Sequence, residues 1–291
     1  MQARHTMQDT FDIASSTLAS SLRIWRGTRA SAAAARQPKR LLELYEFEAC
    51  PYCRLVREAL TELDLDARIY PCPQGGRRFR PRVLALGGKT QFPYLVDPNT
   101  RRSLYESDAI IEYLYAQYGR GPAPSRLLRP FDVATATLAA VPRLAAGGRV
   151  RPSTPARRPL ELFSFESSPY SRRVRELLCE LELPYVLRNT GKARWQDLGP
   201  PSLRAALFPG LPVEGRNRKV LLERAGRVQL PYLVDPNTDT AMFESAAIRR
   251  YLLETYGATS TPVVGKRRVR AAKVKSARPS SRRAAGRTRR A

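Results

Sequence analysis

Two segments of the chain begin with alternating apolar and polar side chains and continue with an apolar stripe of helical spacing. The alternation covers residues 42–47 and returns over 160–165, and this pattern is typical of a half-buried strand. The first stripe consists of Val56, Ala59, Leu60 and Leu63, and the second of Val174, Leu177, Leu178 and Leu181. Apolar residues three and four positions apart share one face of a helix. The pattern therefore predicts the same strand–turn–helix unit twice.

Three ordered motifs show that the chain contains an internal repeat. Residues 43–54 return at 161–172 with the frame Leu-x-x-Phe at the start and Pro-Tyr-x-Arg at the end. A Pro-Tyr-Leu-Val-Asp-Pro-Asn-Thr run ends at Thr100 and again at Thr238, and a Glu-Ser pair follows each run. The spacing between the first and second motifs is longer in the second copy, which therefore carries an insertion, roughly over 190–228.

Each copy predicts the element order β-α-β-α-β-β-α. In copy one, a short strand over 67–71, a helix near 79–86 and a hairpin over 94–105 precede a helix over 107–118. This order predicts an α/β fold with one mixed sheet and helices on its faces. The domain boundaries predicted from the pattern are 41–119 and 160–257, with a proline-punctuated linker over 120–159.

Composition separates the two ends from this repeated region. The chain has 291 residues, 43% of them hydrophobic, and a net charge of +25, and no apolar run approaches the length of a membrane span. The tail over 258–291 is rich in Lys and Arg and contains no acidic side chain, so we expect disorder there. It either binds nucleic acid or an anionic membrane, or is solvated without a partner. The second interpretation is favoured because no aromatic residue interleaves the charges.

The N-terminal segment over 1–40 is rich in Ser, Ala, Thr and Arg, a composition typical of a disordered organelle transit peptide. Asp9 and Asp12 are unusual for such a peptide. The segment predicts localisation in the chloroplast stroma, with the mitochondrion or the cytoplasm as alternatives.

Cysteine and histidine usage limits the possible chemistry. The chain has four cysteines, too few for a disulfide-stapled secreted fold, and its one histidine is His5. Ser-His-Asp and Cys-His catalysis and His-ligated metal sites are therefore excluded from the repeated region. A zinc site is not expected either, because Cys50 and Cys53 would need a second ligand pair and Cys72 and Cys179 are isolated.

The two copies differ where the predicted strand passes into the helix. Copy one has Cys-Pro-Tyr-Cys at 50–53, and copy two has Ser-Pro-Tyr-Ser at 168–171. A cysteine at a helix N-terminus faces unpaired backbone N–H groups, which favour its thiolate. We therefore expect Cys50 to be the nucleophile and Cys53, one turn later, to resolve a mixed disulfide. The serines of copy two cannot carry out this reaction.

The three motifs together resemble the thioredoxin-like fold of glutaredoxins and of glutathione S-transferase N-terminal domains. The tandem arrangement is similar to plant and algal plastid proteins that carry two such domains. The resemblance implies that Pro93 and Pro231 are cis prolines and that the preceding backbone pairs with the cysteine of glutathione. The glutathione-binding positions implied in copy one are Tyr52, Phe92, Pro93, Glu106 and Ser107, and those in copy two are Ser168, Leu230, Pro231, Glu244 and Ser245.

Two departures from the family pattern leave several functions open. Glutaredoxins usually have a lysine before the first cysteine, whereas Glu46 and Glu48 stand here, and no segment has the pattern of the helical domain that holds the electrophile in transferases. The favoured hypothesis is a glutathione-linked thiol–disulfide oxidoreductase that acts on a protein disulfide or a glutathionylated protein. The alternatives are a transferase that uses Ser168 or Cys50, and a non-enzymatic redox-sensing or adaptor module. One version of this module binds a [2Fe–2S] cluster through Cys50 and glutathione.

Overall fold

The computed structural model describes residues 2–125, 127, 129–197 and 206–258. The basic tail predicted over 258–291 lies, from residue 259 onward, outside the described residues, and so does part of the copy-two insertion. Among the described residues, no helix combines the length and the apolar character that crossing a membrane would require.

Both copies contain the predicted order of strands and helices. Copy one consists of β1 (Leu42–Glu46), α2 (Pro51–Glu62), β2 (Ala67–Pro71), α3 (Arg80–Gly87), β3 (Tyr94–Asp97), β4 (Arg102–Tyr105) and α4 (Ser107–Tyr118). Copy two consists of β5 (Leu160–Ser164), α6 (Pro169–Glu180), β6 (Tyr185–Asn189), α7 (Arg216–Ala225), β7 (Tyr232–Asp235), β8 (Thr240–Phe243) and α8 (Ser245–Tyr256). The prediction of two tandem thioredoxin-like domains is confirmed. One further helix precedes each copy: α1 (Gln2–Ser21) and α5 (Arg129–Ala140).

The eight strands form one continuous sheet in the order β4-β3-β1-β2-β6-β5-β7-β8. Within each copy the first two strands are parallel and the third and fourth are antiparallel. The copies join where β2 pairs antiparallel with β6, with Ile69 opposite Tyr185 and Ala67 opposite Leu187. The order reads the same from either edge, so an approximate two-fold axis passes between β2 and β6. The strand that would have been an exposed edge of each copy is paired with the other copy.

One apolar core extends through both copies. Its buried side chains include Leu44 and Leu60 from copy one and Leu162 and Leu178 from copy two. Burial of a leucine side chain contributes about 2 kcal/mol, so the many leucines of this core dominate the stability of the joined sheet. The amphipathic stripes predicted for α2 and α6 lie in it, because the 3.6-residue period places them on the face toward the sheet.

The N-terminal segment, which the composition predicts to be a disordered leader, is instead helical and packed. Helix α1 packs against α6 of copy two, and Ser16, Ala19 and Ser20 are completely buried. Ser16 Oγ donates to the carbonyl of Pro169 at 2.9 Å and Ser20 Oγ donates to that of Ser167 at 2.7 Å. Small side chains allow this close approach, so the Ser/Ala composition that suggests a leader also suits a tightly packed helix. The transit peptide and the plastid localisation stay predictions.

Helix α5 of the linker occupies the corresponding place on copy one, where it packs against α2. An arginine after each of these helices joins the copies. Arg23 donates to Glu58 at 3.0 and 2.6 Å and to Asp132 Oδ1 at 3.1 Å. Arg143 likewise donates to Glu176 at 2.8 and 2.6 Å and to the backbone carbonyl of Asp12 at 3.0 Å. The two flanking segments are thus related by the same approximate two-fold axis.

Candidate thiol site

Cys50 caps the N-terminus of α2. Its backbone is extended (φ −76°, ψ 121°), Pro51 is the first helical residue, and the Cys50 Sγ atom accepts a hydrogen bond from the backbone N–H of Cys53 at 3.2 Å. A proline suits this position because the first helical N–H has no partner within the helix. The sequence pattern therefore places the sulfur where backbone donors and the helix dipole favour a negative charge.

The two thiols are polarised in opposite directions. A hydrogen bond from the Cys53 thiol is the main influence that lowers the pKa of Cys50, and the Cys53 amide and the charge of Arg57 act in the same direction against burial and Glu46. Burial raises the pKa of Cys53 well above its usual range, and its contact with Cys50 adds to this effect. Both thiols are free in the structure. Cys50 is thus suited to be the nucleophile and Cys53 to hold its proton until it resolves the product.

The Cys50 side chain is nevertheless covered. Only 4% of it is exposed and Cys53 is fully buried, whereas Tyr52 between them is 48% exposed. A cavity of about 20 Å³, with room for about one water molecule, adjoins Cys50. Helix α5 and the turn that follows it supply the alanines on one side of this cavity: Ala136, Ala139, Ala140, Ala145 and Ala146. The site is therefore covered by a segment that precedes copy two in the sequence.

Charged side chains form the other side of the cavity. Arg57 donates through Nε to Glu166 Oε2 at 2.9 Å and through Nη1 to Glu46, and Arg175 donates through Nη2 to Glu48 Oε1 at 2.9 Å. All five side chains are buried. Each arginine thus pairs with a glutamate of the other copy, in the loop before that copy's Cys-Pro or Ser-Pro motif. These reciprocal pairs lie across the approximate two-fold axis.

This network shows how the negative charges of Glu46 and Glu48, which precede Cys50, are accommodated. Glu48 lies against Arg175, so its charge is compensated. Glu46 behaves differently, because burial raises its pKa to about 7 even though Arg57 opposes the shift. Glu166 is held by Arg175 and Arg57, and these charges overcome burial and lower its pKa to about 2. Glu46 is therefore the carboxyl of this cluster that can exchange a proton near neutral pH.

The predicted glutathione-binding residues of copy one lie along the neighbouring loops. The peptide bond between Phe92 and Pro93 is cis, as the resemblance implies. The Phe92 ring stacks edge-on against Phe47, at 6.1 Å between centroids, and Phe47 belongs to the loop that leads to Cys50. The Glu106 carboxylate accepts a hydrogen bond from the side chain of Gln91, next to this cis bond. Ser107 is buried at the first position of α4.

Copy two reproduces the backbone but not the chemistry. Ser168 caps α6, its Oγ accepts from the backbone N–H of Ser171 at 3.2 Å, and the bond between Leu230 and Pro231 is cis. Glu244 accepts from Gln229, as Glu106 does from Gln91. The Ser245 hydroxyl, however, accepts from buried Arg173 at 3.5 Å, and Arg173 also donates to Asp9 of α1. The position implied for the γ-glutamyl group is thus already partnered in copy two.

The remaining two cysteines are not placed for thiol chemistry. Cys72 and Cys179 are buried, and burial raises the pKa of each thiol well above its usual range. Over the described residues, no group of three or more His, Cys, Asp or Glu side chains is placed to hold a metal ion.

The buried Arg–Glu network was not predicted from the sequence. A signal for it exists, because copy one and copy two keep the same charged residue at each of its reciprocal positions: Glu48 and Glu166, and Arg57 and Arg175. Glu46 is the exception, since copy two has Ser164 there, just as it has serines in place of both cysteines.

Comparison with protein families assigns both copies to one known domain family. The family model for the glutathione S-transferase N-terminal domain matches residues 44–123 and again residues 162–260, more than half of the chain. The chain belongs to this family. The comparison with curated proteins finds no match.

Solved structures of glutathione transferases are similar to parts of this family member. A Bombyx mori glutathione transferase, BmGSTD1, is 28% identical over 30% of this chain and 39% of its own, with a TM-score of 0.27. A delta-class enzyme of Nilaparvata lugens is 28% identical over 28% and 37%, with a TM-score of 0.23. The trimeric Leishmania transferase TDR1 is 14% identical over 77% and 69%, with a TM-score of 0.26. The chain spans about two fifths of the length of the insect enzymes that it matches.

Proposed function

We propose that this protein is a glutathione-linked thiol–disulfide oxidoreductase with Cys50 and Cys53 as its reactive pair. The Cys50 thiolate attacks one sulfur of a protein disulfide or of a glutathionylated cysteine and displaces the other sulfur as a thiolate. Cys53 then attacks the mixed disulfide, which releases the second substrate thiol and leaves a Cys50–Cys53 disulfide. Two molecules of glutathione reduce this disulfide and leave as glutathione disulfide.

The opposite polarisation of the two thiols is the observation that carries the proposal. A thiolate is the nucleophile in disulfide exchange, and the cap position with the Cys53 hydrogen bond lowers the pKa of Cys50. Cys53 is buried with a raised pKa, so it stays protonated while Cys50 attacks. Copy two has the same helix start at Ser168 but no thiol, and we assign no exchange chemistry to it.

Glu46 fits the role of proton acceptor for Cys53 in the resolving step. Its carboxyl is buried, influences both thiols electrostatically and has a pKa of about 7, so it can take a proton near neutral pH. The substitution pattern supports this role, because copy two replaces Glu46 together with both cysteines but keeps the surrounding arginines.

Access to Cys50 requires that its cover moves. Glutathione does not fit into a cavity of about one water molecule, so the turn over 141–148 has to swing outward for disulfide exchange. Leu144 and Ala145 in this turn have left-handed backbone conformations (φ 48° and 57°), and Leu144 is 85% exposed. Such conformations are uncommon for residues with a side chain and cost free energy, so opening of the turn would release this strain but would also break the ion pair of Arg143 with Glu176.

We assign glutathione to copy one. Ser107 stands at the position that the family resemblance implies for the γ-glutamyl group, and Leu55 stands where copy two has Arg173. In copy two, Arg173 approaches Ser245 and fills the corresponding place. Because Arg173 fills this place in copy two, the structure does not support a transferase that binds glutathione there and uses Ser168.

The test is reduction of a glutathionylated peptide by the full-length protein, coupled to glutathione reductase. Cys50→Ser should abolish turnover, Cys53→Ser should retain part of it because glutathione can resolve the mixed disulfide, and Cys72→Ser should leave it unchanged. Ser107→Ala should raise the KM for glutathione, while Ser245→Ala serves as the matched control in copy two. Normal turnover by the Cys50→Ser protein would refute the proposal.

A further inference from the structure

The small cavity beside Cys50 admits a very small molecule, and guanidinium groups form part of its lining. We propose that hydrogen peroxide enters this cavity and oxidises Cys50, and that Cys53 converts the product into an intramolecular disulfide. The inference rests on the same pair of thiols as the proposed oxidoreductase, but it requires neither glutathione nor movement of the cover.

The size of the cavity selects the oxidant. Its volume of about 20 Å³ accepts about one water molecule, and hydrogen peroxide is only one oxygen atom larger. Ala139 and Ala140 of α5 and Ala146 of the following turn line the side opposite the charged residues. A hydroperoxide with a bulky organic group would have to displace this segment before its oxygen atoms reached the sulfur.

The polar lining supplies an unused hydrogen-bond donor. Arg172 lines the cavity with 3% of its surface exposed, and its Nη1 atom donates to the carbonyl of Ser16 at 2.8 Å. Its Nη2 atom has no hydrogen-bond partner among the described residues. A buried donor without a partner is destabilising, and a polar guest that accepts its hydrogen bond would offset this cost. A guanidinium in this position would also stabilise the hydroxide that leaves when the peroxide bond breaks.

The chemistry balances without any further reactant. The Cys50 thiolate attacks one oxygen of hydrogen peroxide, the O–O bond breaks, and hydroxide leaves while Cys50 becomes a sulfenic acid. The sulfur loses two electrons and the peroxide gains them. Cys53 then attacks the sulfenic sulfur, a disulfide bond forms, and the sulfenic oxygen leaves as water with the Cys53 proton.

The experiment measures the oxidation rate of the reduced full-length protein in the absence of glutathione. Hydrogen peroxide, tert-butyl hydroperoxide and cumene hydroperoxide are compared. The protein unfolded in guanidinium chloride is the reference for intrinsic thiol reactivity. Mass spectrometry follows a loss of about 2 Da and assigns the Cys50–Cys53 disulfide. The folded protein should react with hydrogen peroxide at least about tenfold faster than the unfolded one, and this advantage should be absent with cumene hydroperoxide.

Two variants test the site itself. In Cys53→Ser, dimedone should label Cys50 after peroxide treatment, because the sulfenic acid cannot be resolved. Ala146→Leu fills the cavity from a partly exposed position and should slow oxidation, whereas Ala134→Leu on the exposed side of α5 should not. Circular dichroism checks that each variant folds, and the comparison of oxidants needs no variant at all.

Equal rates for the folded and unfolded proteins, or equal advantages for all three oxidants, would overturn the inference. The outcome is independent of the proposed oxidoreductase. Failure to reduce a glutathionylated peptide leaves the peroxide reaction standing, and failure to react with peroxide leaves disulfide exchange standing.

Discussion

Glu166 offers a quantitative test of how the two copies are held together. Its side chain is 1% exposed and lies 2.9 Å from Arg57 Nε of copy one and 3.0 Å from Arg175 Nη2 of its own copy. The substitution Glu166→Gln preserves the shape and one acceptor oxygen but removes the charge. The two buried guanidinium groups of Arg57 and Arg175 would then lose part of the negative charge that compensates them.

The expected cost follows from the pKa of this carboxyl. The arginines lower it from the ordinary 4.5 to about 2, and each unit corresponds to about 1.4 kcal/mol. The charged form therefore stabilises the fold by about 3 kcal/mol near neutral pH, within the range of about 3–5 kcal/mol for breaking a buried ion pair. Because the pKa is lowered in the folded protein, this contribution is complete above the unfolded pKa and is lost as the pH falls toward 2.

The assay is urea unfolding of the parent protein and Glu166→Gln, followed by circular dichroism. The variant should lose about 3 kcal/mol near neutral pH and less than half of that at about pH 3, where the unfolded carboxyl is already protonated. Glu254→Gln, an exposed position on α8, is the control and should stay within about 0.5 kcal/mol. A loss below about 1 kcal/mol, or an equal loss at both pH values, would refute the reasoning.

Two further predictions concern the flanking helices and the thiol pair. Arg23→Ala removes the buried one of the two arginines that contact both Glu58 and Asp132, and it should destabilise the protein by about 3–5 kcal/mol in urea unfolding. Arg26→Ala removes the other, whose side chain is 34% exposed, and should cost about 1 kcal/mol or less; equal losses would contradict this. Cys53→Ala should raise the pKa of Cys50, because the Cys53 thiol is its largest stabilising influence, and thiolate absorbance against pH should show an upward shift; an unchanged titration would exclude that cause.

Features set by neighbouring residues could be predicted from the sequence. The strand that ends at Glu46 and the stripe of α2 are local patterns, and together with Pro51 they predict that Cys50 lies at a helix start. The cis bond before Pro93 followed from the resemblance, and Cys53 was correctly placed one turn after Cys50. The strand and the helix start depend on contacts within a few residues along the chain, whereas the cis bond was implied by the family motif.

Contacts between the copies could not be predicted in the same way. Arg57 contacts Glu46 of its own copy, but its second partner is Glu166 of the other copy. That partner depends on the pairing of β2 with β6, which no local pattern specifies. Buried arginines on an apolar helix face also look like solvated residues until the opposing carboxylates are known.

The N-terminal segment shows that the duplication is longer than its most visible motifs. Phe11-Asp12 and Thr17-Leu18-Ala19 return as Phe131-Asp132 and Thr137-Leu138-Ala139, and the turns that follow keep an arginine and a glycine at matching positions. Gly27 (φ +73°) and Gly147 (φ +75°) adopt left-handed conformations, and an added Cβ would meet Glu166 Cβ at 2.8 Å in one and Glu48 Cβ at 2.7 Å in the other. The segment before each copy thus packs on the other copy.

This reciprocal packing gives copy two a structural role at the thiol site although it has serines in place of both cysteines. The cover over Cys50 comes from α5 and the turn around Gly147, which precede copy two in the chain, and Arg143 anchors this turn to Glu176 of copy two. Copy one by itself has neither this cover nor the carboxylate of Glu166 for Arg57. Copy two therefore shapes the surroundings of a thiol that only copy one contains, and the complete thiol site belongs to the pair of copies.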